Sequence, residues 1–116
     1  MLEDGRPAVS HDRDSQGNLC VRIRGEIDMS NVDQLATAVD AALRDSSPRI
    51  VIDLSETTFM DGAAVSEIIR LRQALRADDC AIVLQHPKPI VLKLLAVLGL
   101  EDLCAVEGNR EEQATP

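Results

Sequence analysis

The chain has 116 residues, 45% apolar and 28% charged, the size and make-up of one globular domain with one core. A single Phe and no Tyr or Trp make that core aliphatic and exclude stacking of bases or sugars as a function. Twelve basic against twenty acidic residues leave a net charge of −8, which opposes a phosphate backbone or an anionic membrane surface.

Ala8 and Val9 carry a weak first strand within residues 7–13, and Asp14-Ser15-Gln16-Gly17-Asn18 is a turn cluster. Leu19, Val21 and Ile23 then alternate with Cys20, Arg22 and Arg24, the period-2 pattern of a strand with one buried face. The pair predicts a hairpin whose second strand ends at Gly25-Glu26-Ile27-Asp28. Ser30, with Asp33 three residues on, reads as the N-cap of a helix over 31–44, and Val32, Leu35, Ala36, Val39 and Leu43 form its apolar stripe. Ile50 to Leu54 is a continuous apolar run that suggests a strand covered on both faces. Residues 55–61 read as a loop. A second helix is expected from Gly62 to Arg76, burying Ala64, Ile68, Leu71 and Leu75.

Cys80 to Leu84 is another interior strand, followed by the loop His86-Pro87-Lys88-Pro89. Pro89 suits the first turn of a third helix with the stripe Val91, Leu94, Leu95 and Leu98. Gly99 stops that helix as a C′ residue, with Leu100 placed for the accompanying apolar contact. Leu103 to Val106 is a short last strand. The order β-β-α-β-α-β-α-β predicts an α/β domain, a mixed and mostly parallel sheet of about five strands opened by an antiparallel hairpin. Residues 1–6 and 108–116 are expected to be flexible ends around a domain spanning 7–107.

The residues carry little catalytic chemistry. Asp28, Asp53 and Asp61 each end or follow a strand, the edge where ligands bind in open α/β sheets, and three carboxylates there could hold Mg²⁺. The bland reading is that they terminate strands and that Asp61 answers the positive end of the second helix. His11 and His86 make no catalytic spacing, and no nucleotide loop is present. Cys20, Cys80 and Cys104 are widely spaced without a CxxC or Cys/His cluster, so free thiols and no metal site are expected. The start lacks a signal-peptide pattern, and Ile90 to Leu100, broken by Lys93, falls short of the roughly 20 residues that span a bilayer. A cytoplasmic chain without membrane insertion, cofactor or enzymatic activity follows as the expectation.

The most unusual stretch is Phe59-Met60-Asp61-Gly62-Ala63-Ala64-Val65, where small side chains leave the N–H groups of a helix start uncovered. Such an end can receive an anion or dock closely against a partner's backbone; tight packing on a sheet selects the same residues.

These segments together resemble the STAS domain, found in bacterial anti-sigma-factor antagonists and in sulfate transporters. The resemblance rests on Gly25-Glu26-Ile27-Asp28, Ile50-Val51-Ile52-Asp53-Leu54-Ser55, Thr58-Phe59-Met60-Asp61-Gly62-Ala63-Ala64-Val65 and the final helix ending Leu98-Gly99-Leu100. It implies helices packed mainly on one face of the sheet and a function in binding. In the family's best-known arrangement an antagonist binds a kinase-type anti-sigma factor, frees a sigma factor, and is released when a serine at the start of the second helix is phosphorylated. Where the family pattern reads Asp-Ser-Ser-Gly-Leu, this chain reads Asp61-Gly62-Ala63-Ala64-Val65, so the resemblance puts Gly62 at the phosphoacceptor position without a hydroxyl.

The expectation is therefore a regulatory antagonist that this position cannot switch. Asp28, Met29 and Ser30 would join Met60, Asp61, Gly62, Ala63 and Ala64 in one surface for an anti-sigma factor, the chain acting as a monomer or weak homodimer. Thr57 and Thr58 are the candidate substitute phosphosites, with Ser55 and Ser66 nearby and a cysteine-based redox switch a further possibility. The alternative is a STAS subunit that docks on the ATPase of a lipid-transport ABC complex.

Overall fold

A computed structural model of the chain describes residues 7–44, 47–75, 81–99 and 104–108. Its elements are β1 (Val9–Arg13), β2 (Leu19–Ile27), α1 (Val32–Arg44), β3 (Arg49–Met60), α2 (Gly62–Ala74), β4 (Ala81–Gln85), α3 (Pro89–Val97) and β5 (Ala105–Glu107). The sheet order is β1-β2-β3-β4-β5, with β1 antiparallel to β2 and the other three ladders parallel. This is the mixed, mostly parallel sheet expected from the alternation of apolar periods.

The hairpin turn is built by Asp14, whose carboxylate accepts from the amides of Gln16 and Asn18, both at 2.9 Å, and from Asn18 Nδ2 at 3.0 Å. The Asn18 side-chain bond foremost holds the Asp14 carboxyl below its ordinary range. Gly17, at φ 84°, supplies the left-handed residue that closes the turn.

One aliphatic core joins Leu19, Val21 and Ile23 of β2, Ile50, Ile52 and Leu54 of β3, and residues of all three helices: Leu35, Ile68, Val91 and Leu95. Each such side chain, fully buried, contributes roughly 1.5–3 kcal/mol of transfer free energy. Val51 and Val83 are buried but stand outside that cluster, on the alternate face of the sheet. The helices therefore share one face, as the family resemblance implies.

Three expectations change. Residues 55–60 are strand rather than loop: β2 is long enough to pair Arg24 with Glu56, Gly25 with Thr57, Glu26 with Phe59 and Ile27 with Met60. Two register shifts, between Arg22 and Arg24 and between Gly25 and Glu26, give β3 the extra residues and the bulged geometry that polar Ser55-Glu56 disguises in the sequence. Ser30 does not cap α1: the helix begins two residues on, at Val32, and the Ser30 hydroxyl donates back to Asp28 Oδ1 at 2.6 Å. Leu98 is 45% exposed rather than part of a buried stripe, and Leu94 is half-buried. Pro89 does open α3, and Gly99 follows it at φ 75°. Leu100, Leu103, Cys80 and the ends expected to be flexible (except Gly108) lie outside the described residues.

Candidate functional site

Two segments meet at the C-terminal edge of β2 and β3. The amide of Asp61 donates to the carbonyl of Ile27 at 3.1 Å and so extends the parallel ladder past the last strand residue. Asp61 then caps α2: its Oδ1 accepts from the amide of Ala64 at 3.1 Å. Its Oδ2 accepts from the amide of Met29 at 3.2 Å. One carboxylate therefore ties the start of α2 to the loop that leads into α1.

That loop is braced from within. Asp28 Oδ1 accepts from the amide of Ser30 at 2.9 Å and from its hydroxyl, and these bonds hold the Asp28 carboxyl below its ordinary range. The amide of Asp28 donates to Asn31 Oδ1 at 2.8 Å, and Asn31 Nδ2 donates to the carbonyl of Glu26 at 2.9 Å. Sequence reasoning missed Asn31. An Asn just ahead of an apolar helical stripe was the available signal, since its short amide satisfies the loose backbone groups there.

The eight residues expected to form one surface divide by burial. Met29 is 82% exposed, Ser30, like Gly62, is exposed, and Asp28, Asp61 and Ala63 are partly so. Met60 and Ala64 face the core, 1% and 0% exposed, and cannot touch a partner. The helical period turns Ala64 onto the same face as Ile68 and Leu71, and the strand register points Met60 inward beside Ile27. At Gly62 a Cβ would meet nothing within 4 Å, and the residue has no left-handed backbone. Ser66, one turn on, donates its hydroxyl to the Gly62 carbonyl at 2.9 Å.

Thr57 and Thr58 both lie in β3. Thr57 is fully buried and donates to the carbonyl of Ile23 at 2.8 Å, so it is a bulge-filling group that a kinase cannot reach in the folded chain. Thr58 is exposed. Asp53 is not at the tip with Asp28 and Asp61, because β3 continues from it to Met60. Burial pushes the Asp53 carboxyl up, but the Ser55 amide and hydroxyl and the Arg22 guanidinium at 3.2 Å outweigh it and hold the group below its ordinary range. Among the described residues no three His, Cys, Asp or Glu are placed to hold a metal ion.

His11 is exposed on β1, while exposed His86 takes φ 58°, donates its amide to Glu107 and sets Nδ1 3.0 Å from the Gly108 carbonyl. Cys20 and Cys104 are free thiols, both pushed up by burial. No described helix is long and apolar enough to cross a membrane.

The tip thus offers backbone, small side chains and the exposed Met29, tied together by hydrogen bonds, with both Asp61 oxygens engaged by amides. It is equipped to bind rather than to transfer groups. Comparison with known proteins agrees. A family model described as the Mlab, STAS domain matches residues 10–106. A Bordetella bronchiseptica protein named as an anti-sigma factor antagonist, BtrV, is 24% identical over 98 residues, 84% of each chain. The crystal structure of an anti-sigma factor antagonist from Mycobacterium paratuberculosis is 25% identical, with TM-score 0.72 over 84% of this chain and 82% of that one. A Thermotoga maritima protein named as an anti-sigma factor antagonist superposes with TM-score 0.76 at 15% identity, over 91% of this chain and 92% of that one. Because the family model matches residues 10–106, the chain belongs to the STAS domain family, whose members are non-catalytic regulatory modules.

Proposed function

We propose that this chain is an anti-sigma-factor antagonist that binds a kinase-type anti-sigma factor in the cytoplasm, releases a sigma factor, and is not controlled by phosphorylation at residue 62. Gly62 carries the reading. It is exposed at the first turn of α2, its backbone is ordinary, and the space where a side chain would stand is open. Serine fits there without strain, so the missing hydroxyl is a chemical difference and not a packing requirement. A phosphate would bring about −1.5 to −2 charges to a tip that already carries Asp28 and Asp61. Without it the docking surface keeps one charge state, and control passes to the amount of protein or to another group.

The accessible docking set is Asp28, Met29, Ser30, Asp61, Gly62 and Ala63. Titration calorimetry with the cognate anti-sigma factor tests it. Gly62→Asp weakens binding at least tenfold, about 1.4 kcal/mol, by adding bulk and charge at the contact. Gly62→Ser binds as the parent does and becomes a substrate for the kinase, whereas the parent chain accepts no phosphate at residue 62. Unchanged affinity for Gly62→Asp removes this surface from the interface.

The Mlab description of the matched model favours one second reading, a STAS subunit docked on the ATPase of a lipid-transport ABC complex. Binding of purified transporter ATPase, with no binding of an anti-sigma factor, selects it.

A further inference from the structure

Helix α3 is apolar on two sides and the core uses one. Val91 and Leu95 are buried at 1% and 0% exposure. Ile90, Lys93, Leu94 and Val97, spaced i, i+3, i+4 and i+7, form a second stripe, in which half-buried Leu94 also packs on the core while Ile90 and Val97 are 67% and 77% exposed. Phe59, the chain's one aromatic residue, stands 46% exposed at the end of β3, beyond the part of that strand that β4 covers. Together with Thr58 these residues line a groove of about 350 Å³. A continuous apolar groove on a charged domain marks an interaction site.

Charge selects the occupant. The chain carries −8 overall and has two lysines, Lys88 and Lys93. Both belong to α3, at its N-cap and in the middle of the exposed stripe, and no acidic residue lies within that helix. We infer that this groove receives an amphipathic helix of a protein partner, its apolar stripe laid on Phe59, Ile90, Leu94 and Val97 and flanked by Asp or Glu facing Lys93. A second copy of the chain fits worse. Pairing α3 with its own two-fold mate sets Lys93 against Lys93 at the centre of the contact.

The test uses the full chain with labelled Ile, Leu and Val methyl groups in NMR titrations. The probes are two synthetic helical peptides with one leucine stripe, flanked by glutamates in the first and by lysines in the second. The glutamate peptide is expected to shift the methyls of Ile90, Leu94 and Val97, to leave those of Leu35 and Ile68 in place, and to bind about fivefold tighter than the lysine peptide. Lys93→Glu reverses the preference, and Val97→Glu, at a site already open to water, abolishes binding. Equal binding of both peptides, or none, overturns the inference. So does concentration-dependent dimerisation in sedimentation that Val97→Glu removes, which assigns the groove to a second copy. Saturation of the same methyls by decanoate alone overturns it in favour of a small carboxylate. These probes do not involve Gly62, so a silent groove leaves the antagonist reading standing.

Discussion

Replacing Asp61 by Ala removes one carboxylate and strands two amides in different surroundings. Ala64 is 0% exposed, so its N–H loses the α2 cap with little access to water, a loss of about 0.5–2 kcal/mol for a helix N-cap. Met29 is 82% exposed, and water replaces the carboxylate on its N–H at a cost of roughly 0.5 kcal/mol. The sum is about 2 kcal/mol, or near 8 °C in Tm for a domain of this size. Asp61→Asn keeps one acceptor oxygen and should lose about 1 kcal/mol. With no Trp or Tyr, the assay is urea unfolding followed by far-ultraviolet circular dichroism. Amide exchange at Met29 and Ala64 should accelerate together in Asp61→Ala, since one side chain holds both. A loss below about 0.5 kcal/mol, or acceleration at only one of the two amides, refutes the clasp.

Three further outcomes follow from the same contacts. Thr57→Val should lose about 1–2 kcal/mol by leaving the buried Ile23 carbonyl without its donor, while Thr58→Val stays within about 0.5 kcal/mol, both measured in urea. Asp53 is held below its ordinary range in the folded chain, so its contribution to stability is present above about pH 4 and is lost as pH falls through the folded value. Arg22→Gln should move the Asp53 carboxyl upward in a carbon-detected NMR titration. Cys104 is buried with its thiol pushed up, so alkylation at pH 8, followed by mass spectrometry, should label it about tenfold more slowly than half-buried Cys20.

Much of this architecture is legible in apolar spacing alone. Leu19-Val21-Ile23 and Ala64-Ile68-Leu71-Leu75 turned out to be buried faces because periods of 2 and 3.6 leave the core no other choice. The end of β3 was hidden because its pairing with β2 depends on two bulges, which have no sequence period, and because Ser55 and Glu56 look like loop. Met60 and Ala64 adjoin exposed residues in sequence yet face the core, so adjacency along the chain does not predict a shared surface here. The bulge and the first helical turn rotate alternate residues inward. The Asp61–Met29 bond joins residues 32 apart, and a tertiary clasp of that kind leaves no local signal.

Strand order in the sheet repeats strand order in the chain, from β1 to β5. No ladder waits for a segment made later than its second partner, so each new strand can settle on the one before it as the polypeptide leaves the ribosome. Only the β1–β2 hairpin closes over a short turn; the parallel ladders wait for crossovers of about 20–30 residues, as in Leu19 with Ile50 and Arg49 with Ala81, and that non-local pairing sets the slower pace of the later steps.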